Sequence, residues 1–318
     1  MGERIDADDL ALLASGFAAA MEQAPGAAEA DAAIFELGWG DLLGMAPLQG
    51  AIAAFEVIGR TGAGSCLIDD VVAQACGLDV SPATCVVLPS PHSGAAFAGR
   101  VDGIVSARIH RVERVLVPMS TSAGVDLVSV AVHDLRPSEA VGLDPTGAHL
   151  RVGGEPSDHH LVAGSVDWER AVRNARVALA AQLVAISRWM LAEARQHAVD
   201  RVQFGRPIAN FQALRHKMAE SLVQIEGAAA VLAHCVDDEC DPLLAALAKS
   251  LAGRAFRTTA AHAQQILAGI GFTTDHRFHL WLKRGLVIDT LFGSARTLPA
   301  EIGAALLARG EAPRLVDL

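Results

Sequence analysis

Two segments of this chain carry residue types suited to a phosphorylated ligand. The first is "RVQFGRPIANFQ", Arg201 to Gln212. Gly205 and Pro207 account for a break between two helices, but that break needs neither Arg201 nor Gln212. An arginine presents a planar fork of donors and a permanent charge, which suits a phosphate or pyrophosphate. A glutamine presents donor and acceptor together, which suits a ribose or a base edge. The second segment is "QILAGIGFTTDH", Gln265 to His276. There a glutamine precedes Gly269 and Gly271, whose missing side chains let a backbone approach a phosphate closely. Both segments also have a reading without a ligand. Arg201 could cap the preceding helix or pair with an acid, and the two glycines could close a helix.

A third candidate is Glu169 in "VDWERAV". A carboxylate there could serve as a general base, and an acid in a first helical turn is also simply stabilised by the helix dipole. Two weaker signals read as loops. His159 and His160 beside Asp158 lack further ligands at a metal-binding spacing. "RTGAGS", Arg60 to Ser65, lacks the Lys-Ser/Thr ending of a phosphate loop and follows a helix, so it reads as a turn.

The elements that must position these residues fall into three parts: residues 1–80, 81–157 and 158–318. The first part reads as helices. "DADDLALLASGFAAAMEQ" has apolar positions at helical spacing, Pro47 opens the next helix, and Gly77 caps another. The second is rich in short β-branched runs, "ATCVVLP", "GIVSARI", "RVLVPM" and "VDLVSVAV", and reads as a small antiparallel β region. "GLDPTGAHLRVGGEPSDHH" is turn-rich and carries its end. The third returns to long helices. One runs through "VALAAQLVAISRWMLAE", and a second puts Phe211, Leu214, Met218, Leu222, Ile225, Ala229 and Leu232 on one face. A third opens with Asp241 as N-cap and Pro242 behind it. The fold class expected is mainly α with a small β domain, ending in an antiparallel helix bundle.

Composition narrows the function classes. The chain has 318 residues, 52% of them hydrophobic, and a net charge of −10. No Lys/Arg cluster and no Tyr occur, which argues against a nucleic-acid surface. Cys66, Cys76, Cys85, Cys235 and Cys240 form no CxxC pair and read as buried, reduced thiols of a cytoplasmic protein. The acidic start has no signal-peptide pattern. The apolar run near residue 180 is interrupted by Gln182, Ser187 and Arg188, so it reads as a bundle helix rather than a membrane span.

Taken together, the order of elements and the two segments resemble the acyl-CoA dehydrogenase family. The family writes Arg-x-x-Phe-Gly-x-Pro-x-x-x-x-Gln at the first bundle turn, matched by Arg201, Phe204, Gly205, Pro207 and Gln212. It writes Gln-x-x-Gly-Gly-x-Gly-aromatic-Thr further on, matched by Gln265, Gly269, Gly271, Phe272 and Thr273, with Ala268 in place of the first glycine. The resemblance implies FAD as cofactor, with Arg201, Phe204, Gln212, Gln265 and Gly269 reaching across a subunit interface to flavin held mainly by another chain.

The departures from the family are as informative. No Trp occurs between Trp39 and Trp168, and the usual flavin-cradling motifs of the β domain are missing, so 81–157 resembles a degenerate cradle. Phe292, in "TLFGSA", occupies the place of the usual catalytic glutamate. Glu169 matches the position to which a minority of the family moves that base. The Pro-Glu-x-x-Gly-Gly loop is also absent, with "LGWGDLLGMAP" in its stead. This pattern resembles the short subunit of heterotetrameric acyl-CoA dehydrogenases from steroid-degrading actinobacteria. It implies a longer partner subunit, α,β-desaturation of a CoA thioester, a steroid-derived one by the same resemblance, and no nucleic-acid or membrane partner. Two alternatives stay open: a homomeric enzyme using Glu169 as base, and a flavin-free scaffold.

Overall fold

The structure is a computed structural model and describes residues 5–138, Asp144, 149–156, 158–237 and 240–310. Five helices come first: α1 (Ala7–Gln23), α2 (Ala27–Glu36), α3 (Trp39–Met45), α4 (Pro47–Thr61) and α5 (Ile68–Ala75). Six strands follow: β1 (Val101–Ser106), β2 (Arg114–Thr121), β3 (Gly124–Ala131), β4 (Arg136–Ser138), β5 (His149–Gly154) and β6 (His159–Val166). The remainder is α6 (Trp168–Asp200), the short strands β7 (Val202–Gln203) and β8 (Arg206–Pro207), α7 (Gln212–Leu232), α8 (Pro242–Leu267), α9 (Phe278–Thr290) and α10 (Leu298–Arg309). The architecture is mainly helical with a small antiparallel β region, as the residue pattern implies.

The β region forms two antiparallel sheets, ordered β1-β5-β4 and β2-β3-β6. Their facing sides share a core of Val87, Val101, Val105, Val115, Val117, Val128, Val130 and Val152. Three local readings change. "ATCVVLP" contributes isolated bridges at Val86 and Leu88 rather than a strand. "HLRVGG", read as turn, is β5, because it fills the gap between β1 and β4. His159 and His160, read as loop, open β6, whose pairing with β3 runs on to Val166, past residue 157. The histidines are exposed, and His160 Nε2 lies 3.8 Å from Asp158. Most of the turn-rich stretch before β5 lies outside the described residues.

α6 is the axis of the molecule. Asp167 caps it, its side chain accepting from the Arg170 N–H at 2.9 Å, and an alanine-rich body lets neighbours approach closely. At Gly59 of α4, an added Cβ would lie 2.6 Å from the Gln182 carbonyl oxygen, so the α4–α6 crossing requires glycine. By length and hydropathy α6 could span a membrane, but 72% of its most apolar stretch is buried inside the protein. Its 33 residues extend for about 50 Å at 1.5 Å each. On α7 the expected apolar face is only partly used: Ile225 and Leu232 are buried, but Leu222 is 49% exposed. All five cysteines are buried and unbonded.

One buried ionic cluster ties the helices to the sheets. Arg108, from the turn after β1, donates to Asp70 Oδ1 at 2.5 Å and Oδ2 at 3.0 Å, to the Thr84 carbonyl at 2.8 Å and to Asp31 at 3.4 Å. Ser65 and the Cys66 N–H hold Asp31, Trp39 holds Asp70, and Ser106 donates to Asp69 at 2.6 Å. Two carboxyls thus bond one guanidinium, and the third, Asp69, lies within its electrostatic reach. Burial, only partly offset by Arg108, pushes Asp69 up to about 7 and Asp70 up to about 6. Carboxyls raised in the folded state keep protons that the unfolded chain has released. Stability should therefore fall as pH rises from about 4 to about 7, and level off above. The slope of urea midpoint against pH in this window is expected to flatten in Asp69→Asn. An unchanged slope would remove Asp69 from the effect.

Candidate functional site

The residues singled out in the sequence lie at opposite ends of α6. At its C-terminal end the chain turns through Arg201, β7, β8 and α7. Arg201 closes α6, its N–H donating to the His197 carbonyl at 2.9 Å while its own carbonyl accepts from Ile208 at 2.8 Å. The turn needs the left-handed region twice, at Phe204 (φ 54°) and Gly205 (φ 78°). A phenylalanine there is strained and, being 91% exposed, gains nothing from burial in this chain. Its ring meets only Phe211, edge-on at 6.1 Å, and Arg206 stacks over Phe211 at 4.5 Å. Gln212 begins α7 on the surface.

The second segment comes to the same end. His276 Nε2 lies 3.6 Å from Glu193 on α6, and burial together with the charges of His276 and Arg201 holds His197 below its ordinary pKa. Gln265 is exposed on the last turn of α8. The chain then passes through Ala268 at φ 51° and ψ −132°, a conformation costly for any residue with a Cβ. Gly269 is exposed, and a Cβ there would meet nothing within 4 Å, so packing within this chain does not demand a glycine. Phe272 is 79% exposed. Among the described residues, the side chains of Arg201, Gln212 and Gln265 have no hydrogen-bond or ion-pair partner within the chain. The result is an outward-facing set of one guanidinium, two amides and an open glycine, flanked by exposed aromatics. Such a surface could hold an adenosine diphosphate moiety supplied from outside.

The N-terminal end of α6 is different. Phe292 is 1% exposed and lies against Trp168, ring centres 6.5 Å apart. Trp168 Nε1 donates to the Gly94 carbonyl at 2.8 Å, drawing the 92–95 loop onto the helix. Arg176 Nε donates to the Phe292 carbonyl at 3.0 Å, and its Nη1 pairs with Glu301 at 2.7 Å. Beneath the loop, Lys249 is fully buried and donates to the carbonyls of Ile288, Asp289 and Gly293 at 3.1–3.2 Å. Burial lowers its pKa to about 8, with Asp289 opposing. Phe292 also takes the left-handed region (φ 55°), so the loop is held in a strained shape around a side chain with no proton chemistry. Glu169 is exposed and lines an adjacent cleft of about 500 Å³ with Arg173 and Arg176. The structure therefore brings Arg201, Phe204, Gln212, Gln265 and Gly269 to one end and leaves Glu169 at the other.

Residues 165–307 match the family described as acyl-CoA dehydrogenase, C-terminal domain. Residues 165–307 thus carry an acyl-CoA dehydrogenase C-terminal domain. Acyl-CoA dehydrogenase IpdE2 of Mycobacterium tuberculosis is 40% identical over 133 residues, which are 40% of this chain and 39% of that protein. Acyl-CoA dehydrogenase FadE34 of the same organism is 35% identical over 136 residues, 41% of this chain and 19% of that protein. The aligned stretch thus spans well under half of each curated relative. Solved structures agree over nearly the whole chain. The ChsE4–ChsE5 complex from Mycobacterium tuberculosis has a TM-score of 0.75 at 19% identity, covering 98% of this chain and 99% of that one. The steroid acyl-CoA dehydrogenase Tcur3481–Tcur3483 has a TM-score of 0.76 at 20% identity, covering 95% and 98%. These likenesses establish the acyl-CoA dehydrogenase fold.

Two features of the structure were missed from the sequence. The Asp31–Asp69–Asp70–Arg108 cluster had one visible signal, an Asp-Asp pair flanked by Ile68 and Val71 inside an apolar helix. The Phe292–Trp168 contact joins the turn after α9 to the start of α6, far apart in sequence, and had none.

Proposed function

We propose that this chain is one subunit of a heteromeric, FAD-dependent acyl-CoA dehydrogenase that desaturates a CoA thioester at its α,β-bond. In this reading the chain contributes a clamp to flavin held mainly by a longer partner, and the partner supplies the catalytic base. The observation that carries the reading is the contrast between the two ends of α6. One end presents unpartnered binding groups outward, and the other is filled by Phe292 and Trp168 where a base would stand.

The residues at the outward end fit the flavin's adenosine side. Arg201 would hold the pyrophosphate through its fork, Gln212 and Gln265 would meet ribose or adenine edges, and the open backbone at Gly269 would admit a phosphate. Phe204 would lie against the adenosine or the partner's surface, which gives its exposed, strained ring a reason. The flavin, when bound, accepts a hydride equivalent from the thioester β-carbon. Phe292 cannot accept the α-proton, so that step falls to a carboxylate of the partner. The buried Phe292–Trp168 pair excludes water and substrate from this chain's own equivalent position. A steroid-derived acyl group is the substrate class we favour, on the likeness to the steroid acyl-CoA dehydrogenase named above.

One observation favours a second reading. Glu169 lines an open cleft and could act as the base of a homomeric enzyme. Glu169→Gln separates the two. Our reading expects kcat in the complex within about twofold of the parent. A general base contributes about 10²–10⁴-fold, so a loss of that size with flavin retained would move the base onto Glu169.

A further inference from the structure

A second cleft, of about 560 Å³, lies on the other side of His92 from the Glu169 cleft and is strongly basic. It is lined by His92, Arg254, Arg257, Thr290, Ala295 and Arg296. We propose that it binds an organic diphosphate, independently of the flavin clamp at Arg201.

The argument starts from charge. The chain as a whole carries −10, yet three guanidiniums converge on this one concavity, and among the described residues no carboxylate lines it. The acid nearest in contact is Asp289, fully buried, which accepts from Arg257 Nε at 2.8 Å and Nη2 at 2.5 Å and from the Ala295 N–H at 3.0 Å. Asp289 therefore fixes the Arg257 fork and joins it to the turn bearing Arg296. At most it neutralises one of the three charges. Arg254 and Arg296 are exposed and, among the described residues, make no hydrogen bond or ion pair. Arg254 and Arg257 stand three apart on α8, a spacing at which like charges repel and an anion between them is stabilising.

His92 stands at the wall of the cleft. Its backbone is held in the left-handed region (φ 68°), with its N–H donating to the Thr290 carbonyl at 2.7 Å. Its Nδ1 is buried without a partner. An unsatisfied ring nitrogen costs free energy unless a ligand or water meets it. Guanidinium forks match phosphoryl oxygens in geometry as well as charge, and the volume lies in the usual range for small-ligand sites. Two net positive charges and an imidazole suit two linked phosphoryl groups better than one. A concave cleft also favours a small ligand over the flat surface of an acidic protein.

Arg254 and Gln265 are eleven positions apart on α8, about 16 Å along the axis at 1.5 Å per residue, so the cleft is not part of the Arg201 end. The test uses the full-length chain carrying Arg201→Ala, which removes the flavin clamp as a competing site. Calorimetric titration with inorganic pyrophosphate, then with ADP, is expected to show saturable binding with Kd below about 1 mM. Further replacement of Arg254 and Arg296 by Ala, both on the surface, should weaken it at least about tenfold. Tighter binding of ADP would assign the natural ligand to nucleotides, and equal binding would assign it to a diphosphate group alone. No saturable binding of either probe, or binding unaffected by the double replacement, would overturn the proposal. So would loss of a copurifying subunit in the double variant without any binding of the probes, since the cleft would then be a protein contact.

Discussion

Replacing Arg201 with Ala in the assembled complex should strip it of flavin. Arg201 closes α6 through its backbone only, and its guanidinium has no partner within the chain among the described residues. Truncation therefore leaves the folded subunit intact and removes only what the side chain does outside it. A charge-assisted hydrogen bond contributes about 1.5–3 kcal/mol, so loss of a forked contact to a pyrophosphate weakens flavin binding by about 10–100-fold. Flavin absorbance per mole of complex after gel filtration measures this directly. Thermal unfolding of the isolated subunit should be unchanged, because no internal contact is lost. Undiminished flavin in the variant complex would contradict the assignment of Arg201, Gln212 and Gln265 to a shared site. Arg201→Lys tests the geometry: it restores charge but not the fork, and partial recovery is expected.

The largest effect on stability is expected at Arg108. It hydrogen-bonds Asp70 and Asp31 and acts electrostatically on Asp69, all three buried, and it also satisfies the Thr84 carbonyl. Burial alone would make this guanidinium less basic, but the three carboxyls outweigh burial and raise its pKa. Arg108→Met fills much of the same volume and leaves the acids unpaired. Breaking a buried ion pair from one side costs about 3–5 kcal/mol, a large share of the stability of an ordinary domain. Urea denaturation at pH 7.5 should show this loss. It should shrink near pH 5, where the raised pKa values of Asp69 and Asp70 let the orphaned carboxyls take up protons. An equal loss at both pH values would mean that Arg108 acts by packing rather than by charge.

Much of the fold was legible because its signals are local. Asp241 and Pro242 announce α8, and the alanine-rich run from Val177 to Glu193 announces α6. The proposed clamp was legible for a related reason: Arg201, Phe204, Gly205 and Gln212 fall within one short connection from α6 to the first residue of α7, so their spacing survives in the sequence. What was not legible depends on pairing at a distance. β5 looks like a turn until β1 and β4 flank it, and β6 looks like a loop until β3 pairs with it. The Arg108 cluster joins residues up to 77 positions apart. The basic cleft draws arginines from α8 and from the turn after α9, none of them adjacent in the chain. Phe292 shows the limit from the other side. The resemblance puts Phe292 where relatives carry a base, but only the structure shows it buried against Trp168.

The central claim is that this chain gives binding groups to a neighbour's flavin and keeps no complete site of its own. It is tested most directly by the ratio of FAD to each kind of chain in the complex isolated from its native host. The account predicts one FAD per pair of unlike chains, with this chain alone retaining none. One FAD per copy of this chain, without a second kind of subunit, would contradict it and make Glu169 the base to examine.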